Sequence, residues 1–130
     1  MPASFNINIT HGVVFSTGTG VFTHADFVAH MKAVRSDPRF KPELNQLVDC
    51  RAITKMELTT TQIKDLASRS LFSPKSRRAF VVSNELQFGM TRMFAAYRDI
   101  AERQTVMVFR TLPDALAWLG LPPDFDPNKT

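Results

Sequence analysis

Phe5, Ile7 and Ile9 alternate with Asn6, Asn8 and Thr10. A period of two is that of a half-buried strand. His11-Gly12 reads as a turn, and Gly12 to Ser16 resumes as a second strand, closed by Thr17-Gly-Thr-Gly20. Strands this close in sequence pair as an antiparallel hairpin. The period then changes. Thr23 suits an N-cap with Asp26 three residues on, and Phe27, Met31 and Val34 recur at helical spacing. This predicts a helix to about Arg35, stopped before Asp37-Pro38. Leu44 to Cys50 reads as a buried strand followed by a loop to Leu58. Thr59-Thr60-Thr61 opens a second helix through Ile63, Leu66 and Ala67, ending near Leu71-Phe72. Ala79 to Ser83 is a short apolar run, the mark of a central strand. Leu86, Met90, Met93, Phe94, Tyr97 and Ile100 give the cleanest helical stripe in the chain. Gly89 within it predicts close approach by a neighbour. Thr105 to Phe109 is another buried strand. Pro113 then starts a last helix carrying Ala115, Leu116, Trp118 and Leu119, with Gly120 at its C-terminal cap.

The order is β-β-α-β-α-β-α-β-α. Alternating strands and helices imply right-handed crossovers, so the expected fold is α/β with a mixed, mostly parallel sheet. The initial hairpin places the first strand at an antiparallel edge. The 130 residues make one domain, with a core expected from about 5 to 121 and a tail over 122–130. Apolar and charged fractions of 44% and 22% are those of a globular chain. No apolar run reaches the roughly 20 residues of a membrane span. Met1-Pro-Ala-Ser-Phe5 lacks the pattern of a secretory signal. Cys50 is the single cysteine, so no internal disulfide is expected and a reducing, cytoplasmic setting fits.

The net charge of +4 is uneven. Residues 1–65 hold 7 basic and 6 acidic groups, and residues 66–130 hold 9 and 6. The densest stretch is Lys75-Ser-Arg77-Arg78. Such a run serves phosphate, nucleic acid or anionic lipid, or simply a solvated surface. The basic positions are scattered and no aromatic residues interleave with them, so specific nucleic-acid binding is not expected.

Several stretches taken in order carry a likeness to a known family. They are Gly20-Val-Phe-Thr23-His-Ala-Asp26-Phe27, Leu47-Val-Asp49, Ser76-Arg-Arg78-Ala-Phe-Val-Val82 and Phe88-Gly-Met90-Thr-Arg-Met93-Phe94. Tyr97-Arg98 and Phe109-Arg110-Thr-Leu-Pro-Asp114-Ala-Leu-Ala-Trp118-Leu119 complete the set. The chain resembles the STAS fold of sulfate transporter domains and anti-sigma factor antagonists. It is most similar to the small stand-alone bacterial SpoIIAA-like proteins of STAS/SEC14 type. The resemblance implies a regulatory module acting by protein binding, not an enzyme, and needing no cofactor. In the antagonists a phosphorylated serine within Asp-Ser-Ser-Gly opens the second helix. The matching place here is Leu58-Thr59-Thr60-Thr61, without that motif. Thr59 and Thr60 therefore stand either as a phospho-switch or as a helix cap.

Other candidates come from the residues themselves. Ligands of open α/β sheets lie outside the carboxyl ends of the parallel strands. Those ends offer Asp49, Cys50 and Arg51, then Ser83, Asn84 and Glu85, then Arg110 and Thr111. Asp49, Arg51, Asn84 and Arg110 form the candidate partner or ligand site. Alternatively, Asp49 and Arg110 bridge neighbouring strand ends. Cys50 lacks the Cys-x5-Arg spacing of a phosphatase loop and an assignable histidine base, so it reads as inert. His11, His24 and His30 show no metal-ligand spacing, and Asp26 with His30 reads as a surface pair. Gly18-Thr-Gly20 is only a fragment of a dinucleotide fingerprint. Phe88, Met90, Met93, Phe94 and Tyr97 exceed what one narrow buried stripe needs. They serve as core, as a homodimer surface, or as an apolar pocket for a small anionic or lipid-type ligand beside Arg92 and Arg98.

Overall fold

The computed structural model describes residues 2–69, 71–98 and 105–128. Its elements follow the expected order: β1 (Ala3–Asn8), β2 (Val13–Thr23), α1 (His24–Ser36), β3 (Asn45–Glu57), α2 (Thr60–Ser68), β4 (Arg78–Val81), α3 (Glu85–Arg98), β5 (Val106–Phe109) and α4 (Leu112–Leu119). The five strands lie in the order β1-β2-β3-β4-β5. β1 and β2 are antiparallel, and every later pair is parallel. The chain is thus one mixed α/β sheet that crosses over through its helices.

Helix starts are set locally. Thr23 and Asp26 form a reciprocal capping box on α1, and Thr59 and Gln62 form one on α2. Thr111 caps α4, which ends on Gly120 at φ 72°, a left-handed position that suits a glycine. On α3 the cap is Asn84, whose Oδ1 accepts from Gln87 N at 2.8 Å.

The two sheet faces are covered unequally. Val13, Leu47, Ala79 and Val81 meet α4 on one face. Val48, Cys50, Phe80, Val82 and Val106 form the core under α3 on the other. Ile7, Val14, Val34 and Phe72 extend that second core beneath α1. The C-terminal segment is not a loose tail. Leu121 and Phe125 are buried in the α4 core, and Asn6 Nδ2 donates to Pro127 O at 3.0 Å. Packing therefore reaches past residue 121.

Four expectations change. Thr17–Gly20 does not close the hairpin, because β2 runs on to Thr23 through register shifts at Thr17/Thr19 and Gly20/Val21. Bulges absorb the Gly-Thr-Gly irregularity without ending the strand. A Cβ on Gly18 would stand 2.7 Å from Ile53 Cδ1, so close packing explains that glycine. The stretch to Leu58 is not a loop, since β3 continues to Glu57 by pairing with this extended β2. Ile9 lies in the turn after β1 and is 66% exposed. Finally, α2 stops at Ser68, short of Leu71-Phe72. Phe72 instead packs into the core beside Phe40.

Candidate functional site

In parallel strands, paired residues face the same way. Ser16 pairs with Val48, Gln46 with Arg78, and Val48 with Phe80. These residues, with Cys50, make the floor beneath α1, α2 and α3. Between floor and helices lies a cavity of about 60 Å³. A cavity needs at least about 10–15 Å³ to hold one water, so the space has room for more than one. Its walls are apolar. Phe27 and Met31 come from α1, Ile63 and Leu66 from α2, and Met90 and Phe94 from α3. Met56 and Leu58 close it from the end of β3.

A single file of polar groups crosses this apolar space. Arg78 Nε donates to Gln46 Oε1 at 3.0 Å. A guanidinium only donates, so Gln46 must turn its oxygen toward Arg78 and its NH2 away. Gln46 Nε2 then donates to Ser16 Oγ at 3.1 Å. Ser16 Oγ in turn shares a hydrogen bond with His30 Nε2 at 2.8 Å. The file therefore ends on His30. Burial pushes His30 below its ordinary value, which agrees with a neutral ring.

Arg78 is the charged anchor. Its guanidinium sits over the rings of Phe72, Phe80 and Phe94, 4.8, 5.8 and 5.4 Å from their centroids. Such contacts contribute roughly 0.5–1 kcal/mol each. Among the described residues no carboxylate approaches it within 4 Å, and no acceptor meets its Nη atoms. Desolvation, with Arg98 adding like charge, brings its pKa down to about 9. Arg78 was grouped by sequence with a solvated basic run. Alternation explains its true place, because Arg78 leads Phe80 and Val82 onto the covered face.

The residues singled out beforehand divide. Met90 and Phe94 line the pocket. Phe88, Met93 and Tyr97 are half-buried outside its lining, with Phe88 under the Arg110 guanidinium at 3.8 Å and Tyr97 beneath Lys64 at 5.3 Å. The stripe is rotated from expectation, since Leu86 is 75% exposed while Gln87 and Thr91 are buried. Ile100 lies outside the described residues. No neighbour comes within 4 Å of a Cβ built on Gly89, so that glycine answers no close approach.

The strand-end group does not gather into one site. Asp49 and Arg51 are inside the long β3, not at its end. They pair with each other at 2.8 Å, so the expected Asp49–Arg110 bridge is absent. Two residues apart on one strand, both point the same way, and Arg110 is out of competition. Burial would raise the Asp49 carboxyl, but Arg51 overcomes this and holds it low. Arg110 instead pairs with Glu85 at 3.1 Å and depresses its carboxyl. Asn84 caps α3. Thr59 spends its hydroxyl on Gln62 N, the cap reading, and Thr60 is the exposed first residue of α2.

The histidine and thiol readings also sharpen. Asp26 and His30 are no surface pair, because Asp26 bonds Thr23 and His30 turns inward to Ser16. His24 bonds Asp65 at 2.7 Å, tying α1 to α2 along with Arg69. Cys50 is buried against the pocket, and desolvation pushes its thiol up to about 12, the state of an inert thiol. Among the described residues no cluster of metal-binding side chains forms, and no helix is long and apolar enough to cross a membrane.

No family model and no curated protein matches the chain. Among solved structures it is similar to an uncharacterized DUF3478-family protein of SpoIIAA-like fold from Shewanella loihica PV-4. That likeness has a TM-score of 0.56 at 22% identity and covers 90% of this chain and 93% of the other. With the five-stranded mixed sheet and its four helices, the chain has the SpoIIAA-like fold.

Proposed function

We propose that this chain is a binding module for a small, largely apolar molecule held beneath α1, α2 and α3. The carrying observation is a mostly apolar pocket crossed by a few convergent polar groups, the usual composition of a ligand site. Met31, Met56 and Met90 add flexible walls that adapt to a guest. No catalytic role is assigned, since the polar file contains no activated nucleophile: Ser16 faces a histidine but stands buried between Gln46 and His30. The single buried thiol fits a reducing cytoplasm. Native mass spectrometry of protein purified from its own host tests the reading. A non-covalent added mass supports it. A bare polypeptide mass, with no thermal shift on adding hexan-1-ol, overturns it.

A second reading, a protein-binding or self-associating regulatory module, draws on Leu86. This residue is 75% exposed at the start of α3, beside the Glu85–Arg110 pair. Under that reading Leu86→Ser removes a reproducible pull-down partner or a sedimenting dimer while the melting curve stays unchanged.

A further inference from the structure

Resting on the ligand-binding reading, we propose that the pocket is a monocarboxylate site: the acid group docks on the free Nη edge of Arg78, and a short apolar chain lies between the methionine and phenylalanine walls. Three observations converge. The first is geometric. Arg78 spends Nε on Gln46, and among the described residues nothing accepts from Nη1 or Nη2. The guanidinium fork presents two parallel N–H groups, the spacing of two carboxylate oxygens.

The second is charge balance. Burial favours the neutral form of the other titratable groups lining the pocket, lowering His30 and raising Cys50. Arg98 adds to the positive field but does not line the space. One part-buried, desolvated cation lining the pocket therefore asks for one anionic charge. A dianion such as a phosphate monoester would bring surplus charge into an apolar enclosure, which is strongly unfavourable. An amine would repel the guanidinium.

The third is size. A space of about 60 Å³ takes a carboxylate and only a few methylenes. Longer chains need the methionines to move. The polar file has a part in this. Gln46 is fixed by Ser16, and its oxygen fixes Nε, so the open edge of Arg78 is held in one orientation before any ligand arrives. Ser16, Gln46 and His30 are positioning residues, and Arg78 touches the ligand.

The test is calorimetric titration of the full chain with hexanoate, hexan-1-ol, hexylamine, hexyl phosphate and hexadecanoate. Hexanoate is expected to bind roughly tenfold or more tighter than hexan-1-ol, from one charge-assisted pair. Hexylamine gives no heat. In Arg78→Met the hexanoate preference disappears while hexan-1-ol binding persists, and that retained binding reports an intact pocket. Should the variant fail to fold, the wild-type comparison of acid with alcohol decides alone. Equal binding of acid and alcohol by the wild type, or unchanged hexanoate binding by Arg78→Met, overturns the proposal but leaves an apolar ligand site standing. Tighter binding of hexyl phosphate overturns the choice of anion, and tighter binding of hexadecanoate overturns the short chain. If the wild type binds neither hexanoate nor hexan-1-ol, the ligand-binding reading itself fails.

Discussion

A desolvated cation with no carboxylate beside it among the described residues destabilises the fold that holds it, and the size of that effect follows from Arg78. Desolvation brings its pKa well below the ordinary guanidinium value, to about 9. At about 1.4 kcal/mol per unit, the charged form is disfavoured in the folded state by on the order of 5 kcal/mol. At pH 7 both folded and unfolded chains carry the proton, so the full penalty applies. It fades only as pH rises above about 9, where the folded state releases its proton before the unfolded chain does. Three ring contacts return roughly 1.5–3 kcal/mol. Replacing Arg78 by Met alone leaves Gln46 Oε1 without its donor, at a cost of about 1–3 kcal/mol, so that variant should be near neutral. Gln46→Leu alone strips the guanidinium of its acceptor and should cost about 3 kcal/mol. The double variant removes both partners, and Ser16 keeps His30. Replacing both members of a buried pair by apolar groups is often stabilising. The double variant should therefore exceed the wild type by about 2 kcal/mol. Urea unfolding at pH 7 measures this through the midpoint at constant slope, and melting should rise by roughly 6–10 °C. A double variant less stable than the wild type would show that Arg78 is there to hold the fold, and would refute the reasoning.

His30→Asn should flatten the fall of stability below pH 6.5. Wild-type His30 is depressed by burial, so the unfolded chain takes its proton first and stability falls as pH drops below 6.5. The same pH dependence in both proteins, by urea titration, would count against a neutral buried ring. Gly18→Ala should cost about 1–3 kcal/mol, because its Cβ meets the buried Ile53 at 2.7 Å. Gly89→Ala, exposed in α3 with open space around it, should add about 0.5–1 kcal/mol, and paired thermal melts compare the two. Cys50 should resist iodoacetamide at pH 8 and react once urea unfolds the chain, since its thiol is pushed up to about 12; stoichiometric labelling of the native protein contradicts this. Phe125→Ala should cost about 2–4 kcal/mol in a melt if the C-terminal segment belongs to the core, and almost nothing if it is a tail.

Element order was legible because period-two and helical patterns are local. Strand length was not. Thr17 to Gly20 has turn composition, and pairing with β1 on one side and β3 on the other keeps it extended. Likewise Ile53 is the one buried side chain after Cys50 in β3, too sparse a pattern to show a strand. The Met/Phe stripe includes Met90 and Phe94, two residues that line the pocket. Arg78 stayed hidden for a physical reason. A strand of four residues offers two positions per face, so one charged residue cannot break a pattern that short. Ser16, Gln46 and His30 come from three elements, and no spacing in the sequence links them.

These two kinds of miss differ in meaning. The strand lengths are places where tertiary pairing overrides local composition, and once paired they satisfy every rule of packing. The polar file does not. It sets a serine, a glutamine, a histidine and an arginine where apolar side chains would pack with less cost. Sequences that specify a single structure keep their levels consistent, and departures concentrate where something other than stability is selected. The Asp49–Arg51 and Glu85–Arg110 pairs could be lost with little effect, being half-exposed and mutually satisfied. Arg78 could be improved upon by a methionine, once Gln46 is changed with it. A residue that weakens the fold, keeps an open donor edge and faces an apolar space is best explained by a guest that completes it. The same carboxylate that binds Arg78 would then remove the penalty, so ligand and stability are coupled. A bound acid should raise the melting point more in the wild type than in any variant lacking the charge.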